Sequence, residues 1–127
     1  MKKILIVAVV LITSITAFAE RTYYRATHFS YKEGRNWSKW ETTNIGILYD
    51  DVDYNIFIDS KTPQIYHLIE FINEGYDEDG DYVKEYRFID QDSDYGIIKF
   101  VSRNTLKRNE IYIIFNNVSW LYVVELI

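Results

Sequence analysis

Apolar and polar side chains alternate through most of this chain. Ile45, Ile47 and Tyr49 share one parity, as do Tyr54, Ile56 and Ile58. The same holds for Tyr82, Tyr86 and Phe88, for Ile111, Ile113 and Phe115, and for Trp120, Tyr122, Val124 and Leu126. A period of two is the repeat of a strand with one buried face, and β-branched and aromatic residues dominate these runs. Polar clusters punctuate them: Asp50-Asp51-Val52-Asp53, Ser60-Lys61-Thr62-Pro63, Asp77 to Asp81 with Gly80, Gln91 to Asp94, and Asn116-Asn117. The pattern predicts about eight strands, over 21–31, 44–50, 54–60, 64–73, 82–90, 95–102, 109–116 and 118–126. Residues 32–43, with Gly34, Trp37 and Trp40, form the longest irregular connection. Residues 64–74 could form a helix by composition, with Pro63 at its start. Strand is preferred there because Ile, Tyr, Phe and His outnumber good helix formers.

Short links between successive strands imply an antiparallel meander. The fold class is all-β, closed as a small barrel or folded over as a sandwich. The last two strands are apolar on both faces, since Leu121 and Val123 oppose Trp120 and Tyr122. These strands are therefore expected to sit centrally in the sheet or under something else.

The first residues follow a different rule. Lys2 and Lys3 precede an unbroken apolar run from Ile4 to Ile12, and Ala17-Phe18-Ala19 ends the segment. Positive start, apolar middle and small residues before the cut are what translocation and signal peptidase require. The run is shorter than the ~20 residues that cross a bilayer. The expectation is a signal peptide over 1–19 and a single exported β domain over 20–127, periplasmic or extracellular, with no membrane span in the mature chain. The sequence contains no Cys, so neither a lipidated Cys nor a disulfide is available. Packing alone must hold the domain. With 48% hydrophobic and 17% aromatic residues there is enough apolar surface for that.

The net charge is −5, and loss of Lys2 and Lys3 leaves twelve basic against nineteen acidic residues, a net −7. The acids are concentrated in the middle: residues 50–94 hold fourteen acidic and three basic side chains. Such a chain is a poor partner for phosphate backbones or anionic lipid surfaces. No nucleic-acid partner is expected.

Candidate chemistry is sparse. His28 and His67 lie mid-strand among apolar neighbours and read as half-buried structural residues. No nucleophile elbow, zinc-protease motif or phosphate loop is present, and no cofactor is implied. Glu70 and Glu74 are the nearest approach to a carboxylate pair for glycan hydrolysis. Asp90-Gln91-Asp92-Ser93-Asp94-Tyr95-Gly96 places Asp90, Asp92 and Asp94 at alternate positions, a pattern that can ligate calcium. Tyr95 displaces the Gly by one position, and Val101 stands where a bidentate Glu would close an EF-hand loop. Asp77-Glu78-Asp79-Gly80-Asp81 is a second such turn. Solvated hairpin turns, where Asp and Gly are favoured in any case, are the preferred reading of both. Trp37 and Trp40, with Tyr23, Tyr24 and Tyr31, form an aromatic group that could stack on a ligand, but the preferred reading is that both Trp plug one end of a barrel or cover a sheet.

Trp37-Ser38-Lys39-Trp40-Glu41, Asn44, Asp59 to Tyr66 and Phe115 to Tyr122 together resemble a group of small uncharacterised exported proteins from gut Bacteroidetes. The resemblance implies a bacterial origin and an exported compartment, and carries no activity or site. The expected function is a non-catalytic exported β domain that binds a protein or a small ligand. The alternatives are a calcium- or glycan-dependent surface module and a small glycan hydrolase.

Overall fold

The computed structural model describes residues 21–127, and the expected signal segment 1–19 lies outside them. Nine strands follow one another: β1 (Arg21–Glu33), β2 (Asn36–Trp37), β3 (Glu41–Asp50), β4 (Asn55–Ile58), β5 (Gln64–Tyr76), β6 (Tyr82–Asp90), β7 (Tyr95–Arg103), β8 (Arg108–Ile114) and β9 (Val118–Leu126). There is no helix among the described residues. Every strand pairs antiparallel with its neighbour, in the order β2-β1-β3-β4-β5-β6-β7-β8-β9, and β9 returns to pair with β1. The result is a closed eight-stranded barrel with β2 as an added edge piece on β1. Closure resolves the choice between barrel and sandwich.

The alternating pattern fixes which side chains face inward. Ile47, Ile56, Ile58, Leu68, Tyr86, Phe88, Ile98, Ile111, Ile113, Tyr122 and Val124 form the core. Their neighbours in sequence face outward, as a strand requires. Residues 64–76 are strand throughout; β-branched and aromatic side chains prevail over the Pro63 signal. Gly96 lies opposite Phe88 in the β6–β7 register. A Cβ there would stand 2.4 Å from Phe88 Cζ and 2.5 Å from the Ile114 carbonyl oxygen, so the Phe88 ring occupies the space a side chain would need.

One bulge changes the reading of β1. The register shifts between Ala26 and His28 against both β3 and β9. Ala26 packs in the core before the bulge and Phe29 packs against it afterwards, so the inward parity switches. Ser30 then faces outward and is buried beneath the 34–40 segment, where its hydroxyl donates to the Ser38 carbonyl at 2.9 Å. The same segment covers Leu121, which is why the β8–β9 outer face is apolar.

The histidine expectation is corrected. His28 and His67 both point outward and are exposed. Parity places them on the solvent side, with Thr27 Oγ1 3.0 Å from His28 Nδ1 and Asn55 Oδ1 2.8 Å from His67 Nδ1.

Candidate functional site: a cup at one end of the barrel

At the end where β3 begins and β9 starts, the barrel opens into a cup of about 530 Å³. Its walls are Phe29 of β1, Thr43 and Ile45 of β3, Gln64 and Tyr66 of β5, and Trp120 and Tyr122 of β9, with Phe115 just beyond β8. The Ser60–Pro63 and Asp90–Asp92 turns make the rim. Small eight-stranded barrels leave room for side chains or for one small ligand. Here side chains fill the middle; the larger unfilled volume lies at this mouth, and a smaller one of about 190 Å³, lined by Tyr24, Tyr82, Lys84 and Phe100, lies at the other end.

The walls form an aromatic lattice. Tyr66 meets Phe88 edge-on with ring centroids 4.7 Å apart, and Phe115 meets Phe88 at 5.3 Å. Phe115 and Trp120 are 5.5 Å apart, and Phe29 and Tyr122 are 5.4 Å apart. Each ring is thus held by another, which gives a rigid apolar surface at little entropic cost.

The polar groups in the cup form one chain. The Tyr66 hydroxyl donates to Gln64 Oε1. Gln64 Nε2 donates to Ser60 Oγ at 3.0 Å and to the Tyr122 hydroxyl at 3.3 Å. Gln91 ties the rim together by donating to the Pro63 carbonyl at 3.0 Å and accepting from the Ile65 amide at 2.9 Å. Burial pushes the phenol pKa of both Tyr66 and Tyr122 up, so both stay neutral donors. The indole N–H of Trp120 is buried and finds no acceptor among the described residues. The inner walls carry no charge; Lys61, Asp90 and Asp92 stand at the rim.

The residues singled out in the sequence are scattered. Tyr23 and Tyr31 lie near opposite ends of β1. Tyr31 comes closest to the cup, with its ring 6.2 Å from Phe29. Trp37 and Trp40 lie outside the barrel, against its β7–β8–β9 wall, 42% and 47% exposed. Trp37 stands edge-on to Tyr112 at 6.1 Å, and the Arg108 guanidinium lies over Trp40 at 5.5 Å. Beneath them Glu110, 1% exposed, accepts from Arg103 Nε at 2.7 Å, Arg108 Nε at 2.8 Å and the Tyr112 hydroxyl at 3.1 Å. Arg103 also donates to Asp81 at 2.8 Å. Burial works against the charge on Arg103, but its bonds to Glu110, Asp81 and Tyr112 outweigh this and raise its pKa. The Asn104 amide and Arg103 hold the Asp81 carboxyl below its ordinary value.

Asp90, Asp92 and Asp94 share a hairpin turn in which Asp90 Oδ1 accepts from the amides of Asp92 and Asp94, both at 2.9 Å. Asp77 does the same for Asp79 at 2.9 Å and Asp81 at 3.0 Å. The fourth residue of each turn, Ser93 or Gly80, takes positive φ. The two turns are one motif used twice. In the second, the carboxylates of Asp77, Asp79 and Asp81 lie within 4.8 Å of one another. Glu70 and Glu74 are each engaged, Glu70 by Arg87 Nε at 2.9 Å and Glu74 by the Tyr82 hydroxyl.

The cup residues were readable only in part. Trp120 and Tyr122 share the inward parity of β9, and Tyr66 that of β5. What no local pattern gives is which inward residues lie at a mouth. Comparison with protein-family models, with curated proteins and with solved structures finds no match for this chain.

Proposed function

We propose that this chain is an exported, non-catalytic barrel that binds one small, uncharged, largely apolar or aromatic ligand in the cup. The observation that carries the reading is the cup itself, about 530 Å³ of space walled by interlocked aromatic rings. That volume lies within the range of small-molecule sites, and the composition fits them too: apolar walls with a few placed polar groups. Gln64, Tyr66 and Tyr122 supply the hydrogen bonds that orient a ligand. The uncharged interior disfavours a carboxylate or phosphate, whose desolvation nothing there would offset. Export rests on the signal-like segment 1–19, and N-terminal sequencing of the protein from its host should begin at Glu20.

The binding test uses the uncharged fluorophore N-phenyl-1-naphthylamine. Saturable one-to-one binding with enhanced emission is expected, together with energy transfer from Trp120. Thr43→Trp, which fills the mouth from the β3 wall, should weaken binding at least tenfold while leaving the melting temperature within a few degrees. Absence of saturation, or equal binding by Thr43→Trp, refutes the reading.

A further inference from the structure

The barrel is closed, yet one long strand edge is left open. β5 pairs with β4 only through Gln64–His67. One further bond on that side, from the Leu68 amide to the Tyr54 carbonyl at 2.7 Å, ends the contact. Residues 69–76 then continue with β6 on one side and no strand on the other among the described residues. β4 is four residues long against thirteen in β5, so the upper part of the barrel wall beside β5 is missing.

The backbone of this edge is oriented to pair. The Asp77 amide donates to the Asp81 carbonyl at 2.9 Å and closes the β5–β6 hairpin. Alternation of hydrogen-bonded pairs then directs the N–H and C=O groups of Asn73 and Gly75 at β6, and those of Glu74 and Tyr76 at the open side. Bulges interrupt the register at Ile69 and Ile72, but Asn73–Tyr76 pairs regularly with Tyr82–Glu85. Apolar surface accompanies the edge: Ile69, Phe71 and Tyr76 are 45%, 53% and 77% exposed. An exposed edge with apolar side chains is a template for another strand.

Charge decides which strand fits. Residues 69–85 carry seven acidic side chains against one, Lys84. Asp51 and Asp53 flank the other side of the notch, on the turn that ends at Tyr54. A second copy of this chain would bring two such acidic edges together, placing Glu70, Glu74 and the Asp77–Asp79 turn near like charges, which destabilises pairing. A strand carrying Lys or Arg has the complementary charge.

We propose that the open edge of β5 over residues 69–76 receives an extended peptide segment of alternating apolar and basic residues, as an antiparallel strand continuing the line of β4. Main-chain bonds to Glu74 and Tyr76 supply affinity, and side chains of one parity cover Phe71 and Tyr76.

The test uses a synthetic peptide, acetyl-Lys-Val-Lys-Ile-Lys-Val-Lys-amide, with wild-type protein. Calorimetry should give one-to-one binding, and hydrogen exchange should show new protection at 69–76. The same peptide N-methylated at alternate residues keeps its charges and side chains but loses one hydrogen-bonding edge. It should bind at least tenfold more weakly. Glu74→Pro removes an outward amide without touching the β6 ladder and should weaken binding more than Glu74→Gln, which removes only the charge. Equal binding by the N-methylated peptide, or protection elsewhere, would mean simple charge attraction and overturn the proposal. Protection of 69–76 in the protein alone, with dimers in sedimentation, would overturn it in favour of self-pairing.

Discussion

Gly96→Ala is a one-carbon change whose cost can be worked from geometry. The new Cβ would lie 2.4 Å from Phe88 Cζ, 3.0 Å from Phe88 Cε1 and 2.5 Å from the Ile114 carbonyl oxygen. Ile114 pairs with Ile97, so its carbonyl cannot retreat without opening the β7–β8 ladder. The Phe88 ring is fully buried and boxed in by Tyr66 and Phe115. Replacing Gly elsewhere in a strand would stabilise by about 0.4–1 kcal/mol through the unfolded chain. Overpacking a filled core costs about 1–3 kcal/mol, and a backbone obstacle puts this site at the upper end. The net expectation is a loss of about 2 kcal/mol, or a melting temperature lower by roughly 8–16 °C for a domain of this size. Thermal and urea unfolding of the two proteins measure it. Phe88→Leu in the Gly96→Ala background should recover part of the loss, because it removes the ring contact and leaves the Ile114 contact. The displaced ring moves toward Tyr66 and Phe115, so dye binding in the cup should weaken too. A melting temperature equal to or above wild type would refute the packing argument.

Three further outcomes follow from the outer wall and the turns. Glu110→Ala leaves Arg103 and Arg108 without their shared carboxylate; a broken buried pair costs about 3–5 kcal/mol, and because both arginines are partly exposed about 2–3 kcal/mol is expected in urea unfolding. The Asp81 carboxyl is held below its ordinary value, so its stabilising contribution is complete above about pH 4 and lost as pH falls through the lower folded value. The melting-temperature gap between wild type and Asp81→Asn should therefore be full at pH 7 and narrow by pH 2–3; a constant gap contradicts it. Ten millimolar calcium should shift the melting temperature by less than about 1 °C, since Asp90 Oδ1 already serves two amides and Asp81 is engaged by Arg103. A rise of several degrees, absent with magnesium and lost in Asp92→Ala or Asp79→Ala, would establish a calcium site.

The strands and their inward faces were legible because a period of two is a local property. Each of Ile47, Ile56, Phe88, Ile98, Ile111 and Tyr122 is buried on its alternating face. The β1 bulge was not legible, since Thr27-His28 carries no turn signal; pairing with both β3 and β9 imposes the shift, and with it the burial of Ser30. The histidines were misjudged for a related reason: apolar neighbours in sequence lie on the opposite face of a strand. The Trp37–Trp40 segment gave its residue types but not its position, because its place over Glu110 and Tyr112 depends on a contact with strands some seventy residues later. The sequence by itself determined an antiparallel meander with a large aromatic core and an acidic middle. Only tertiary structure decided that β9 returns to β1, that aromatic residues from β1, β5 and β9 surround one open mouth, and that β5 outruns β4 to leave an edge free. These features depend on register between distant strands, and register is set by the sum of pairings around the closed barrel, not by any one strand.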